Sequence, residues 1–400
     1  MGLNSTPMGE RVHVGFFGRR NVGKSSLVNA VTDQELAVVS DTKGTTTDPV
    51  FKSMELLPLG PVVIIDTPGL DDEGELGLKR VEKTREILGK TDIAVIVVDL
   101  TDGMTPFESE IETEIKKRGI PCIFAFNKSD ASDVIELPDK TNSVTVSART
   151  KDGVQSLKEM IASVLPKTVQ RRLVGDLISE GDVALLVVPI DSSAPKGRLI
   201  LPQQQVIRDV LDQGGTVAVS KDTELETALR SLNAPPKIVI TDSQVFKRVA
   251  ATVDESIPLT SFSILMARYK GFLETAVKGA SKLSTLRDGD RILISEGCTH
   301  HRQCEDIGTV KLPRWIKEFS GRDILFETSS GGTFPNDLTP YSMVIHCGGC
   351  MLNEAEMKRR MDIAAKQGVP FCNYGIAIAE MNGILRRSLS VFPDISDLLG

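Results

Sequence analysis

Short apolar runs recur along the first part of the chain at 12–17, 62–66, 93–99, 120–127 and 143–147, each separated from the next by stretches with helical spacing of apolar residues. Runs this rich in Val, Ile and Phe suit strands covered on both faces, and their alternation with helices predicts a mostly parallel sheet. Pro166 and the basic pair Arg171-Arg172 mark the end of this segment. The alternation then resumes over 172–262, with strands predicted at 183–189, 216–220 and 237–241 and helices at 203–213, 223–232 and 242–251. The first of those helices is opened by Pro202 and closed by Gly214-Gly215, the residues that favour a helix start and stop. A third segment, 263–400, opens with a helix around 262–282, continues with strands at 291–295, 323–327 and 342–346, and adds helices at 353–366 and 376–387. The pattern thus predicts three α/β domains, 1–166, 172–262 and 263–400, the latter two smaller and also built on parallel sheets.

Chemistry concentrates where the predicted strands end. Gly18-x-x-x-x-Gly23-Lys24-Ser25 follows the first strand and opens a helix, the context of a phosphate-binding P-loop. The glycines let the backbone wrap an anion, and amides from Asn21, Val22, Gly23, Lys24, Ser25 and Ser26 converge on it. Lys24 is placed to reach β- and γ-phosphates, and the Ser25 hydroxyl to bind Mg²⁺. Asp66-x-x-Gly69 ends a second strand, so Asp66 can hold the Mg²⁺ shell while the Gly69 amide senses the γ-phosphate. Asn127-Lys128-x-Asp130 ends a third; its carboxylate offers two acceptors to the N1–H and 2-amino donors of guanine, which adenine does not present. Ser147-Ala148 follows a fourth and fits the element whose backbone meets the guanine oxygen. Within Asp41-Thr-Lys-Gly-Thr45-Thr46-Thr47-Asp48, Thr46 is the candidate to complete Mg²⁺ coordination when γ-phosphate is present. The segment therefore reads as a GTP/GDP and Mg²⁺ site, with Lys24, Thr46, Asp66 and Gly69 closest to the chemistry.

Over residues 10–166 these motifs resemble the GTPase group that includes the Era-like and MnmE-like proteins. In that group an Asn matched by Asn21 helps hold K⁺ beside the phosphates, which implies a second cation where transition-state charge develops. Leu70 stands where Ras-like proteins carry a catalytic Gln, so the resemblance implies slow, K⁺-stimulated hydrolysis.

Composition narrows the setting. The net charge of −7 and the absence of a basic stripe argue against a nucleic-acid partner. The longest apolar runs are too short to span a bilayer, and no basic start with an apolar stretch opens the chain, so the expectation is a cytoplasmic protein without a membrane partner. Of the six cysteines, Cys298, Cys304, Cys347 and Cys350 cluster late in the chain, while Cys122 and Cys372 sit in apolar surroundings as core thiols. Without export features, such grouping favours metal binding over disulfides.

Cys298-x-His300 and His346-Cys347-x-x-Cys350 each follow a predicted strand, so two parallel strands can present thiolates at one sheet edge. Thiolates suit Zn²⁺ and iron–sulfur clusters alike. A cluster on Cys298, Cys347 and Cys350 would leave one iron for a weaker ligand, for which His300, His346, Cys304 and Glu305 are candidates. This spacing resembles the maturation GTPases of FeFe-hydrogenase, and the resemblance runs over the whole chain. It implies a scaffold or carrier that binds a 4Fe-4S cluster, receives or assembles a transient di-iron precursor from radical-SAM maturation enzymes, and delivers it to apo-hydrogenase. It also implies a homodimer formed through the middle domain. Two competitors remain: a GTPase with a structural zinc site acting in RNA or ribosome maturation, and a redox switch cycling Cys347 and Cys350 as a dithiol.

Overall fold

A computed structural model describes residues 6–33, 49–67, 84–131, 140–165, 172–190, 199–297, 307–331 and 333–399. The chain forms two compact units, Met1–Val169 and Gln170–Gly400.

The first unit is built on a six-stranded sheet of β1 (Val12–Phe17), β2 (Val50–Leu56), β3 (Gly60–Asp66), β4 (Ile93–Asp99), β5 (Cys122–Asn127) and β6 (Ser143–Thr145), in the order β2-β3-β1-β4-β5-β6. Central β4 is buried at every residue, which its unbroken Ile-Ala-Val-Ile-Val-Val run requires of a strand with helices on both faces. Edge strand β2 runs antiparallel to β3 and is mostly exposed; its mixed Val-Phe-Lys-Ser sequence lacks the continuous apolar signature, which is why the pattern did not reveal it. All other pairings in this sheet are parallel. The register aligns Phe16 with Asp66 and Asp99 with Asn127, so the polar strand ends share one edge. The helix Lys24–Thr32 starts from Gly23 at φ 86°, and Pro106–Lys117 starts from a Thr105–Glu108 capping box.

The second unit holds two four-stranded parallel sheets. One contains β7 (Val183–Val187), β8 (Thr216–Ser220), β9 (Ile238–Thr241) and β10 (Leu259–Ser261), ordered β10-β9-β7-β8. The other contains β11 (Arg291–Glu296), β12 (Leu325–Ser330), β13 (Met343–His346) and β14 (Phe371–Asn373), ordered β12-β11-β13-β14. Both sheets drain into a single hydrophobic core, with Leu185, Ile240, Phe262, Phe272, Ile294 and Phe371 among its members. Three-residue strands β10 and β14 are too short for periodicity to reveal. Two of the long predicted helices are broken at glycine: 262–282 divides into Phe262–Tyr269 and Leu273–Ala280 around Gly271 at φ 77°, and 376–387 divides into Tyr374–Met381 and Leu385–Ser388 around Gly383 at φ 69°. The strand expected at 323–327 shifts to Leu325–Ser330, set by its parallel register with β11. No helix among the described residues is long and apolar enough to cross a membrane.

Candidate functional site

At the polar edge of the first sheet, the phosphate loop carries Gly18 at φ 152° and Asn21 at φ 62° before Gly23. A Cβ on Gly18 would stand 2.4 Å from the Val97 carbonyl oxygen, and one on Gly23 would stand 2.3 Å from Asn127 Nδ2. Only glycine lets this loop pass so close to its neighbours. Lys24, nearly buried, donates from Nζ to the carbonyls of Gly18 at 2.8 Å and Arg19 at 2.6 Å. An arriving phosphate would replace those acceptors with stronger anionic ones.

Ser25 Oγ donates to Asp66 Oδ2 at 2.7 Å. The other oxygen of Asp66, Oδ1, is buried without a hydrogen-bond partner. Burial raises the Asp66 pKa, and the Ser25 hydroxyl and Lys24 charge offset this only in part. A buried carboxylate with an orphaned oxygen beside a serine hydroxyl fits a Mg²⁺ shell, which would satisfy that oxygen directly or through water. Thr46 and Gly69, the other expected members of this group, lie outside the described residues, as does Leu70.

Asn127 joins the loops. Its Nδ2 donates to the Val22 carbonyl at 2.9 Å, and its Oδ1 accepts from the Ala148 amide at 3.0 Å. Ser147 Oγ donates to Asp130 Oδ1 at 2.6 Å, and the Arg149 guanidinium lies 2.5 Å from Oδ2. The Ser147 hydrogen bond, with help from Arg149, holds Asp130 below the usual carboxylate range, so it is ionised and accepting at neutral pH. Lys128, at φ 65°, donates to Asp99 Oδ2 at 2.5 Å. Burial alone would raise Asp99, but hydrogen bonds from Lys128 and Thr101 bring it below the usual range. Asp99 and Arg149 escaped the sequence reading. Asp99 carries the signal that exposed Asp66 and Asn127, a polar residue ending a buried apolar strand.

In the second unit, Cys347 and Cys350 follow β13 directly, and the neighbouring end of β11 leads through Gly297 toward Cys298. The register sets Ser329, Ser295, His346 and Asn373 in one buried row across the four strands. The Gly297 amide donates to Cys347 Sγ at 3.1 Å. Gly297 also packs on Leu352, whose Cγ would be 2.8 Å from an added Cβ. Cys298, His300, Cys304 and Glu305 lie outside the described residues. Among the described residues no three His, Cys, Asp or Glu side chains converge to hold a metal ion. Burial raises the Cys347 pKa, and burial with the neighbouring Cys347 pushes Cys350 up to about 11.

His346 differs from the expectation of a ligand. It is fully buried, stacked on Phe371, with Nε2 2.9 Å from Arg360 Nη1 and Nδ1 2.7 Å from the Cys347 carbonyl. A guanidinium only donates, so Nε2 accepts and the proton sits on Nδ1. Burial, reinforced by the Arg360 charge, lowers the His346 pKa to about 3, keeping it neutral. With both nitrogens engaged, His346 in this arrangement has no lone pair to give a metal. Cys372 is a buried core thiol on β14, and Cys122 is a mostly buried one on β5, its pKa pushed up to about 12 by burial.

Glycine-cradled phosphate loop, Mg²⁺-ready Asp66 and Asn127-linked guanine loop, on a sheet ordered 2-3-1-4-5-6, define the first unit as a P-loop GTPase domain. A family profile described as a 50S ribosome-binding GTPase matches residues 13–128, while profiles of the hydrogen maturase F dimerization domain and tetramerization domain match 173–271 and 274–391. The chain belongs to the hydrogen maturase F family. Among curated proteins, the tRNA modification GTPase MnmE of Chromobacterium violaceum is 35% identical over 162 residues, covering 39% of this chain and 35% of its own. GTPase Der of Nitratiruptor sp. is 32% identical over 168 residues, covering 38% and 36%. The chain thus spans about a third of the length of these curated relatives. The solved structure of Aquifex aeolicus Era bound to GDP and aluminium fluoride overlaps 55% of this chain and 98% of its own at 19% identity, with a TM-score of 0.36. The dimerization and tetramerization profiles support self-association through the last third of the chain as well as through the middle segment.

Proposed function

We propose that this protein is a GTP-switched scaffold for metallocofactor assembly. GTP with Mg²⁺ occupies the first unit, and Cys347, Cys350 and Cys298 hold a 4Fe-4S cluster in the second. The observation that carries this reading is the meeting of two strand ends: the Cys347–Cys350 loop leaves β13 beside the end of β11, and Gly297, the residue before Cys298, already donates to the Cys347 sulfur at 3.1 Å. When bound, the cluster would supply an iron site with an exchangeable fourth position; His300 or Glu305 remain candidates for it.

The chain's own residues do the rest. Lys24 and the loop amides bind phosphate, Ser25 and Asp66 hold Mg²⁺, and Asp130 and Ala148 select guanine. Asn21 holds K⁺ beside the phosphates, and Thr46 and Gly69 report the γ-phosphate. Their reordering on hydrolysis changes affinity for partners. Those partners are radical-SAM maturation enzymes that supply a di-iron precursor and the cytoplasmic apo-hydrogenase that accepts it. The middle segment 172–262 forms a homodimer; β8, an outer strand of its sheet with Val219 half exposed, supports this by offering an edge for pairing.

The test is anaerobic reconstitution of the full chain with iron and sulfide, followed by iron and sulfide assay and EPR on wild type and on Cys298→Ser, Cys347→Ser and Cys350→Ser. Wild type should hold about four irons per chain, as the proposed 4Fe-4S core requires, and each variant should lose most of them. A colourless, zinc-replete protein would refute the cluster. Metal content indifferent to Cys298→Ser would favour the dithiol switch.

A further inference from the structure

Two buried cations, both from outside the cysteine loop, grip its two ends. At the start, Arg360 on the helix Glu354–Lys366 is fully buried and donates to His346 Nε2, and His346 passes the constraint on by donating from Nδ1 to the Cys347 carbonyl. The same guanidinium reaches Ser295 Oγ at 3.4 Å and the Gly331 carbonyl, so it ties the ends of β11, β12 and β13 together. At the far end, Lys270, which caps the helix Phe262–Tyr269 and is 4% exposed, donates to the Leu352 carbonyl at 2.7 Å. Between them the loop closes on itself, with the Leu352 amide donating to the Gly349 carbonyl at 2.9 Å and Gly349 at φ 67°.

The charges are graded as well as the geometry. Glu356 accepts from both Arg359 and Arg360 at 2.7 Å; Glu356 and Arg360 are buried and Arg359 is partly exposed, and the three together carry one net positive charge. Lys270 supplies a second on the Cys350 side. Two thiolates would bring two negative charges into the same buried space, and a cluster that gains an electron would bring more. Uncompensated charge in such a place is strongly disfavoured. Glu296 acts in the opposite sense on Cys347.

We propose that Lys270 and Arg360 form a cation clamp on loop 347–352, positioning residues that hold Cys347 and Cys350 ready for metal and offset the negative charge of a thiolate-bound core. The proposal rests on the iron–sulfur reading above for its redox consequence, but not for its effect on metal retention.

The test uses the full chain, reconstituted with ferrous iron and sulfide, as wild type, Lys270→Met, Lys270→Arg and Glu356→Gln. The readouts are an EPR-monitored redox titration and the rate of iron loss to a chelator. Removing a cation disfavours an added electron, so Lys270→Met should move the potential negative and shed iron several-fold faster, while Lys270→Arg stays near wild type. Glu356→Gln removes a negative charge and should move the potential the other way. Should Glu356→Gln fail to fold, the two Lys270 variants decide alone. Unchanged potential and iron loss in Lys270→Met would overturn the clamp, as would Lys270→Met and Glu356→Gln shifting together, the mark of mere loosening. If wild type takes up no iron, the cluster reading falls, and Co²⁺ titration of the thiols becomes the probe. Several-fold weaker Co²⁺ binding by Lys270→Met would then uphold the clamp, and equal binding would sink it.

Discussion

Asn127→Ala tests whether the nucleotide site is one cooperative unit. Asn127 is 2% exposed, and its amide bridges the phosphate loop, through Val22, and the guanine loop, through Ala148. Truncation leaves one buried carbonyl, of Val22, and one partly buried N–H, of Ala148, without their partner. Each such orphan costs about 1–3 kcal/mol, and allowing for water entering the space, a total of about 2–4 kcal/mol is reasonable. Bound nucleotide needs both loops in place, whereas the free protein can relax, so most of that cost falls on binding. At about 1.4 kcal/mol per decade, affinity for a guanine nucleotide should drop roughly 30- to 700-fold. Asn127→Asp keeps an acceptor for Ala148 but turns an oxygen toward the Val22 carbonyl, so it should also bind weakly. Fluorescence titration with a labelled GDP measures the loss, with thermal unfolding as the check that the domain still folds. A well-folded Asn127→Ala protein binding within threefold of wild type would refute the linkage.

Two further outcomes follow from other parts of the molecule. If Asn21 holds K⁺, GTP turnover should be several-fold faster in K⁺ than in Na⁺ and Asn21→Ala should abolish the difference; equal rates in the two salts rule this out. Asp176, held low chiefly by hydrogen bonding from Arg268, gains stability from the folded state that is present above its ordinary pKa of 3.8 and lost as pH falls through its lower folded value. Both side chains are about a third exposed, so Asp176→Asn should cost only about 1 kcal/mol or less at neutral pH. In urea unfolding, the gap between wild type and variant should narrow as pH falls below 3.8 and close below the lower folded value, and a gap that stays constant or widens over that range contradicts the assignment.

The order of residues alone reveals the alternation of strands and helices and the strand-end residues that carry nucleotide chemistry. It could do so because a strand buried on both faces must be continuously apolar, which makes a polar residue at its end stand out. Glycine positions in the phosphate loop were legible for a related reason, since backbone that close to Val97 and Asn127 admits no side chain. Edge strand β2 and the three-residue strands β10 and β14 were not legible, because they are exposed or too short to carry a period. Tertiary structure alone decided which distant charges face each other. Nothing local marks Asp99 as the partner of Lys128, or Lys270 as the residue that reaches Leu352. It also decided the standing of His346, whose place in a Cys-His motif suggests a ligand but whose nitrogens the fold commits to Arg360 and the Cys347 carbonyl. Hydrogen-bond saturation depends on neighbours supplied by packing, and packing brings together residues that spacing along a chain cannot relate.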